Sequence, residues 1–271
     1  MKKIIYSILV LGISCSTIAQ EAAEKKTQAG LVVGSGLAFQ KTGEKYLSDN
    51  GGHDLTVGAN VNFSFTETIG FCTGLEFDFE TLKYKVPGKT GSNVYYYFND
   101  TEILQNANLA PLNATTQLFQ LQERTQKVVY LTIPTMLTFR TKFFGYMRYF
   151  GKFGLRNSFL LTNKSTDNGF LLTDFGSSMV PLENKEMRSK NEMIFFKSAF
   201  GLCGGAEWNF SGSTSLVAEI GYYFGFIPLY RDKEGKTFLF TSSYDNGFPA
   251  DTNFSNDASQ SQLMLKVSIL F

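Results

Sequence analysis

The sequence predicts an all-β fold: a transmembrane up-and-down antiparallel β-barrel of eight strands, with short turns at one end and long loops at the other. Eight stretches alternate between apolar and polar residues, and the connections between them are alternately short and long. Aromatic residues make up 15% of the chain and include 27 phenylalanines. A barrel in a membrane combines these features, because lipid-facing and lumen-facing side chains alternate along each strand.

The clearest alternation lies in a predicted hairpin over residues 54–80. Odd positions from Leu55 to Phe65 are apolar, and even positions are polar or glycine. After a turn at residues 66–68 the alternation resumes at Ile69 and continues to the end of the hairpin. Since alternate side chains of a strand point to opposite faces, one face of this hairpin is apolar and the other carries carboxylates.

The other strands follow the same rule, and each reaches the roughly 9–11 residues that cross a bilayer. A soluble β-sandwich is the alternative, but it would need neither an aromatic outer face on every strand nor a strict alternation of short and long connections. The predicted strands cover residues 30–40, 54–65, 69–80, 127–140, 146–161, 193–210, 213–227 and 260–271.

The connections define the two ends of the barrel. Short turns belong to the periplasmic end and long loops to the extracellular end. Within the long second loop, residues 93–98 and 117–122 also alternate, which predicts a hairpin rising above the membrane, with two extra wall strands as the alternative. The long loops span residues 41–53, 83–126, 162–192 and 228–259, and the short turns residues 66–68, 141–145 and 211–212.

The first residues predict export. Lys2 and Lys3 precede an apolar run over residues 4–18, and a small-x-small pattern predicts cleavage near Ala19. A lipid-modified Cys15 is the alternative. Residues 20–271 then form the barrel domain, located in the outer membrane. Cleavage leaves 23 basic and 24 acidic residues, a balance that does not favour a nucleic-acid partner.

Charged residues predicted to face the lumen are equal in number for each sign. An eight-stranded barrel is filled by side chains, so charges inside it lose water and must pair. The acids are Asp54, Glu76, Asp78, Glu80, Glu207 and Glu219, and the bases are Arg140, Arg148, Lys152, Arg156, Lys197 and Lys266.

Counting residues from the short turns predicts which charges share a height. Glu76 matches Lys152 and Glu80 matches Arg156, with contacts that cross the lumen over small residues such as Thr132. One interpretation is a structural plug, a network that closes and stiffens the barrel. The alternative is a polar channel or proton path.

No residue pattern predicts catalysis, a cofactor or a metal. His53 adjoins Asp54, but neighbouring strand residues point to opposite faces, so adjacency does not make a catalytic dyad. Residues 251–257 space oxygen ligands like a calcium loop, yet Asn256 and Gln262 occupy positions where such loops need glycine and glutamate.

The cysteines, a glycine cluster and the aromatic loop residues give three further predictions. Cys72 and Cys203 are predicted to be buried and unpaired, because their strands lie apart around the barrel. Glycines at residues 201–205 predict a bend or space for bulky inward neighbours. Aromatic loop residues predict either packing of the loops or a binding surface, and they are Tyr95, Tyr96, Tyr97, Phe98, Phe238, Phe240, Tyr244, Phe248 and Phe254.

Short motifs resemble an outer-membrane β-barrel family of the PorT-like type. Residues 129–140, VYLTIPTMLTFR, resemble its YLxIPxLL strand. Residues 200–208, FGLCGGAEW, and 216–222, LVAEIGY, resemble its later hairpin and the strand that follows. The last strand is similar to the aromatic-ended strands that barrel assembly machinery recognises, with Phe271 as the signal.

The resemblance implies a non-catalytic barrel without cofactors. Its expected partners are outer-membrane lipid, the barrel assembly machinery and components of a secretion or uptake complex. The expected role is binding or scaffolding through the extracellular loops, and a narrow channel for small solutes is the alternative.

Overall fold

The computed structural model describes most of the chain after the predicted signal segment. The segment itself, residues 1–19, lies outside the described residues. The described residues are 26–42, 47–87, 93–104, 118–173, 178–189, 192–211, 214–230, 239–245, 248–253 and 258–271.

Thirteen strands occupy this described part of the chain. No helix within it is long and apolar enough to span a membrane. The strands are β1 Thr27–Thr42, β2 Ser48–Ser64, β3 Ile69–Lys85, β4 Val94–Asn99, β5 Glu102–Leu104, β6 Leu118–Arg140, β7 Met147–Thr173, β8 Ser178–Met187, β9 Phe196–Ser211, β10 Thr214–Gly225, β11 Phe240–Asp245, β12 Phe248–Asn253 and β13 Ala258–Leu270.

Eight of these strands close into a ring, in the order β1, β2, β3, β6, β7, β9, β10, β13 and back to β1. All neighbours are antiparallel, and the closing pair runs in register from Gly30 opposite Leu270 to Thr42 opposite Ala258. These are the eight wall strands. They correspond to the eight predicted strands, so the predicted fold class is confirmed. Closure leaves no unpaired strand edge facing lipid.

The outer face of the ring is apolar and solvent-exposed. Leu31 is 63% exposed, Leu265 59% and Leu202 65%, which would be a severe liability in water. The side chains predicted to face outward are exposed or half-buried, and they form a belt for lipid. Phe195 differs, because it occupies an inward position of the predicted strand 193–210 but is exposed. Belt members include Val33, Leu37, Phe39, Leu55, Val57, Leu75, Phe77, Phe79, Tyr149, Phe200, Trp208, Ile220, Tyr222, Phe224, Val267 and Ile269.

Strands β6 and β7 continue well beyond the ring. β7 pairs with β9 from Met147 to Phe159, and then with β8 from Ser165 to Thr173. β6 likewise pairs with β3 and, at its start, with β4. With the β11–β12 hairpin bound to β4, these segments extend the same sheet beyond the ring, with neighbours in the order β12, β11, β4, β6, β7, β8. This six-stranded extension, with β5 beside it, is called the extracellular arm below.

Two of the predicted strand boundaries are wrong, because both strands continue into the arm. The strand predicted to start at Lys127 starts at Leu118, and the strand predicted to end at Leu161 ends at Thr173. The extra residue Leu161 interrupts the alternation of β7 where its predicted strand ends. On β6, residues 122–127 are all polar, so the sequence shows no alternation there although the strand continues. The predicted hairpin above the membrane is confirmed, because Val94 to Tyr97 pair with Leu121 to Leu118 and form no part of the ring.

Candidate functional site

The lumen of the ring holds a stack of ion pairs that begins near the short turns. There, Arg148 donates two hydrogen bonds to Glu207, of 2.8 and 2.9 Å. Arg140 donates to the Ser64 hydroxyl at 2.8 Å. An apolar cluster of Phe150, Val217 and Leu270 fills the same end of the barrel.

A second pair lies beside the two cysteines. The ammonium of Lys152 contacts Glu219 at 2.6 Å and lies 4.0 Å from the sulfur of Cys72. Cys72 and Cys203 are both free and buried, as predicted. They pack with Met136, Tyr223 and Met264 in a small cluster.

The centre of the stack is built around Arg156, which is 2% exposed. One guanidinium nitrogen contacts Glu76 at 3.0 Å and Asp78 at 2.5 Å. Lys266 approaches the two oxygens of Glu76 at 2.9 and 2.8 Å. Asp78 also accepts hydrogen bonds from the hydroxyls of Thr56 and Thr132. Two cations and two carboxylates are thus held inside the barrel with almost no solvent contact.

The upper part of the stack centres on Glu80. Lys197 contacts both of its oxygens, at 2.6 and 2.8 Å, and lies 4.0 Å from the centre of the Tyr130 ring. Gln262 donates to Glu80 at 2.9 Å and to Asp54 at 2.7 Å. The amide side chain of Gln262 therefore bridges two carboxylates, of which Glu80 contacts Lys197.

All twelve side chains assigned to the lumen lie there, ten of them buried and Lys152 and Lys197 half-buried. The two pairings predicted from equal height are wrong. Glu76 pairs with Arg156 and Lys266 instead of Lys152, and Glu80 pairs with Lys197 instead of Arg156. Strands in a barrel tilt and are staggered, so residues at equal counts from the turns do not lie at equal heights.

A small cavity lies beside this stack. A cavity of about 10 Å³ is lined by Arg156, Lys197 and Gln262, among others, and by volume it holds about one water molecule. The Nε atom of Arg156 has no hydrogen-bond partner among the described residues, and a water in this cavity would satisfy it. Above it, an apolar cluster that includes Leu82, Tyr84, Val128, Tyr130, Leu229 and Tyr230 covers the lumen.

The comparisons agree with this geometry. Residues 18–231 match the family described as outer membrane protein beta-barrel domain. The chain belongs to that family. Its location is the outer membrane, as predicted. No match is found among the curated proteins.

Solved structures of several outer-membrane barrels are similar at low identity. OprG from Pseudomonas aeruginosa has a TM-score of 0.39 and 9% identity over 90% of this chain and 94% of its own. Ail from Yersinia pestis, solved in complex with the heparin analogue sucrose octasulfate, has a TM-score of 0.32 and 11% identity, covering 91% of this chain and 99% of its own. The Escherichia coli outer membrane protease OmpT has a TM-score of 0.32 and 9% identity, covering 94% of this chain and 99% of its own. The family assignment does not rest on these likenesses.

This outer-membrane barrel has a second buried ion cluster, in the extracellular arm. Arg124 donates to both oxygens of Asp167 at 2.9 Å and to Glu192 at 2.8 Å. Burial alone would lower the pKa of Arg124, but the charges of Asp167 and Glu192 raise it well above its ordinary value. The Tyr230 hydroxyl donates to Gln126 just below, at 2.5 Å. These buried groups tie β6, β7 and the segment before β9 together.

Sequence reasoning missed this cluster, although one signal for it exists. Arg124 has the same parity as Arg140 on β6, so extending the predicted strand would have assigned it inward. Asp167 offers no such signal, because the register shift at Val129/Tyr130 resets the parity of its strand. Glu192 lies outside the strands.

The loop aromatics, the calcium-like segment and His53 are the other candidates from the sequence. Tyr95, Tyr96 and Tyr97 are buried, and the Tyr96 ring packs 4.9 Å from the Phe119 ring, so packing is the role of these three loop aromatics. Phe238 and Phe254 lie outside the described residues, as do residues 254–257 of the calcium-like segment. His53 is exposed on the outer face, whereas the neighbouring Asp54 is buried in the lumen.

The glycine cluster makes space for rings, which confirms one of its two predicted roles. A Cβ at Gly201 would lie 2.7 Å from the Tyr223 ring, and one at Gly205 would lie 2.5 Å from the Phe150 ring. Both rings fill the lumen. Glycine is therefore required on β9 because its neighbours are large.

Proposed function

We propose that this protein is a non-catalytic, non-conducting barrel that presents its extracellular arm as a binding or scaffold surface, as an accessory of a secretion or uptake complex. The observation that carries the proposal is the combination of a lumen filled by side chains with two wall strands that continue beyond the ring. Within the described residues, ion pairs and an apolar cluster occupy the lumen, and the arm offers a large external surface.

The filling of the lumen supports a role without transport. Ion pairs follow one another from Arg148–Glu207 near the turns to Lys197–Glu80 near the loops. Breaking such pairs is costly, because each leaves an uncompensated buried charge. A solute would have to displace this network and the apolar cluster above it.

The construction of the arm supports a role in binding. β6 and β7 have 23 and 27 residues, more than twice the roughly 9–11 that cross a bilayer. The arm is therefore a continuation of the barrel wall and is held rigidly to it. On its edge strand β8, the side chains of Met179 and Val180 are 53% and 50% exposed and are accessible to an extracellular partner.

The resemblance of residues 129–140 to the PorT-like strand motif supports the accessory form of this proposal, in secretion or uptake. A narrow channel is the second candidate, and the observation that favours it is the line of twelve charged side chains along the lumen.

Conductance distinguishes these two candidates. The full-length mature protein, reconstituted into a planar bilayer, is expected to give no steady single-channel steps. A general porin serves as the positive control for insertion. Steady, sizeable steps from this protein would favour the channel and overturn the filled-barrel proposal.

Site-specific crosslinking tests the binding role. A photoreactive residue replaces Val180 on β8 in one variant and Lys142, in a short turn, in the other, and both are expressed in the native cells. The proposal predicts a discrete, stoichiometric adduct from position 180 that position 142 does not give. Identical adduct patterns, or none from position 180, would contradict a partner on the arm.

A further inference from the structure

The outer wall carries a group of lysines immediately above the lipid belt, in one sector of the barrel. Lys83 on β3, Lys127 on β6 and Lys164 on β7 follow outward-facing apolar residues of the same strands. Lys127 lies two residues beyond Val129, which pairs with the exposed Phe79. These three lysines are called the lysine patch below.

The strand register brings the members of the patch together. Lys127 and Lys164 are direct cross-strand partners, and Lys83 is two residues from Thr81, the partner of Lys127 on the other side. Directly opposed side chains have Cβ atoms about 5 Å apart, and diagonal ones about 7–8 Å. Like charges in direct opposition are destabilising, so an anion placed between them stabilises the arrangement.

Nearby carboxylates do not neutralise the patch. Glu186 on β8 accepts a hydrogen bond from Lys164 at 2.7 Å. That bond, with the charges of Lys164, Lys127 and Arg188, lowers the pKa of the Glu186 carboxyl. The Glu186 carboxylate thus faces Lys164, Lys127 and Arg188. Two further acids of this surface are exposed: Glu123 lies opposite Lys85 and diagonal to Lys83, and Glu183 on β8 pairs with Lys185. Lys83 and Lys127 have no ion-pair partner among the described residues.

Cations at this end of the outer wall are concentrated in one sector, with Lys41 on β1, beyond the exposed Phe39, as a further exposed lysine. In the sector formed by β9 and β10, the outer wall at the extracellular end exposes Phe195 and Phe226, at 56% and 54%. Lys197, at the same end of β9, points inward and pairs with Glu80.

We propose that the lysine patch binds the phosphate groups of a lipid in the outer leaflet, whose acyl chains lie on the belt below. The geometry suits this ligand because phosphate-binding ammonium groups stand directly above exposed apolar side chains, including Phe79. A free phosphate ion would use only the lysines. A phosphorylated lipid would use both surfaces at once, and this site is independent of the proposed role of the arm.

The test compares two variants of equal charge change in the full-length protein. K83Q/K127Q removes the two unpaired lysines of the patch, and K26Q/K142Q removes two exposed lysines at the periplasmic end. Lipid A, a bisphosphorylated glycolipid, is the probe, and its binding to detergent-solubilised protein is titrated by native mass spectrometry. A neutral glycolipid of the same chain length and inorganic phosphate are measured in parallel.

Lipid A is expected to bind the wild-type protein and K26Q/K142Q equally. Its affinity for K83Q/K127Q should fall by about tenfold or more, since each lysine near a phosphorylated surface contributes about 1 kcal/mol. Equal affinities for both variants, or lipid A binding no tighter than the neutral glycolipid, would overturn the proposal. So would inorganic phosphate binding as tightly as lipid A, since that would indicate a free-anion site.

Discussion

At the residue scale, Arg156 is the centre of the buried lumen network. It contacts carboxylates from β3 and the amide oxygen of Gln262 from β13. It therefore links the wall strand β7 to strands across the lumen. A long guanidinium suits this position because its several donors satisfy acceptors on different sides.

Replacing Arg156 with Ala should lower the free energy of unfolding by roughly 3–5 kcal/mol, because Glu76 and Asp78 would be left as buried charges short of a partner. Urea unfolding in detergent, followed by tryptophan fluorescence, measures the change. Lys142→Ala, at an exposed turn, is the control and should change it by no more than about 0.5 kcal/mol. Equal midpoints for Arg156→Ala and wild type would contradict a structural network.

Two adjacent glycines on β9 offer a matched pair of substitutions. A Cβ at Gly205 would lie 2.2 Å from the backbone oxygen of Ala218 and 2.5 Å from the Phe150 ring, whereas at Gly204 the nearest atom is 3.9 Å away. Gly205→Ala should destabilise the barrel by about 1–3 kcal/mol through overpacking. Gly204→Ala should be neutral within about 0.5 kcal/mol. Thermal unfolding of the two variants compares them, and equal losses would contradict a packing requirement confined to the lumen side.

At the element scale, the extracellular arm is the part that sequence patterns predicted least completely. The hairpin of residues 93–98 and 117–122 was visible because each piece alternates. Its continuity with the rest of β6 was not visible, because Gln122 is an extra residue in the pairing and residues 122–127 are all polar. Strand pairing across the whole length of β6 and β7 overrides such local interruptions.

The buried cluster of Arg124 should determine the stability of the arm independently of the ring. Arg124→Ala leaves Asp167 and Glu192 without their partner, and should cost the arm roughly 3–5 kcal/mol. Hydrogen exchange should accelerate in residues 118–128 and 163–173 and stay unchanged in β1. Lys164→Ala, which breaks an exposed pair worth about 0–1 kcal/mol, is the control. Acceleration throughout the ring, or none in the arm, would contradict an independently stabilised arm.

At the scale of the whole molecule, closure of the ring depends on the two ends of the chain. Phe271 and Ala29 exchange two backbone hydrogen bonds, of 2.8 and 3.2 Å, beside the first paired residues of β1 and β13. The first and last wall strands are therefore fastened at the periplasmic end. Phe271, the proposed assembly signal, is therefore also the residue directly after β13 that makes the closing contact with Ala29.

Deleting Phe271 should weaken closure by about 1–3 kcal/mol, the contribution of two hydrogen bonds, and lower refolding yield in detergent. Phe271→Leu keeps the backbone bonds but removes the aromatic ring. It should refold normally in detergent, yet reach the outer membrane of cells less efficiently. Heat-shifted electrophoretic mobility measures the folded fraction in both settings. Normal assembly of Phe271→Leu in cells would contradict the assembly signal.

The sequence by itself determined the eight wall strands, their inner and outer faces and the twelve charged side chains assigned to the lumen. Alternation is a local property of the chain, since every strand places successive side chains on opposite faces. Only the tertiary structure decided which charges meet, because the stagger of the closed ring sets the relative heights of distant strands. It also decided that β6 and β7 continue beyond the ring into the extracellular arm, and that Lys127 lies opposite Lys164 on the outer wall.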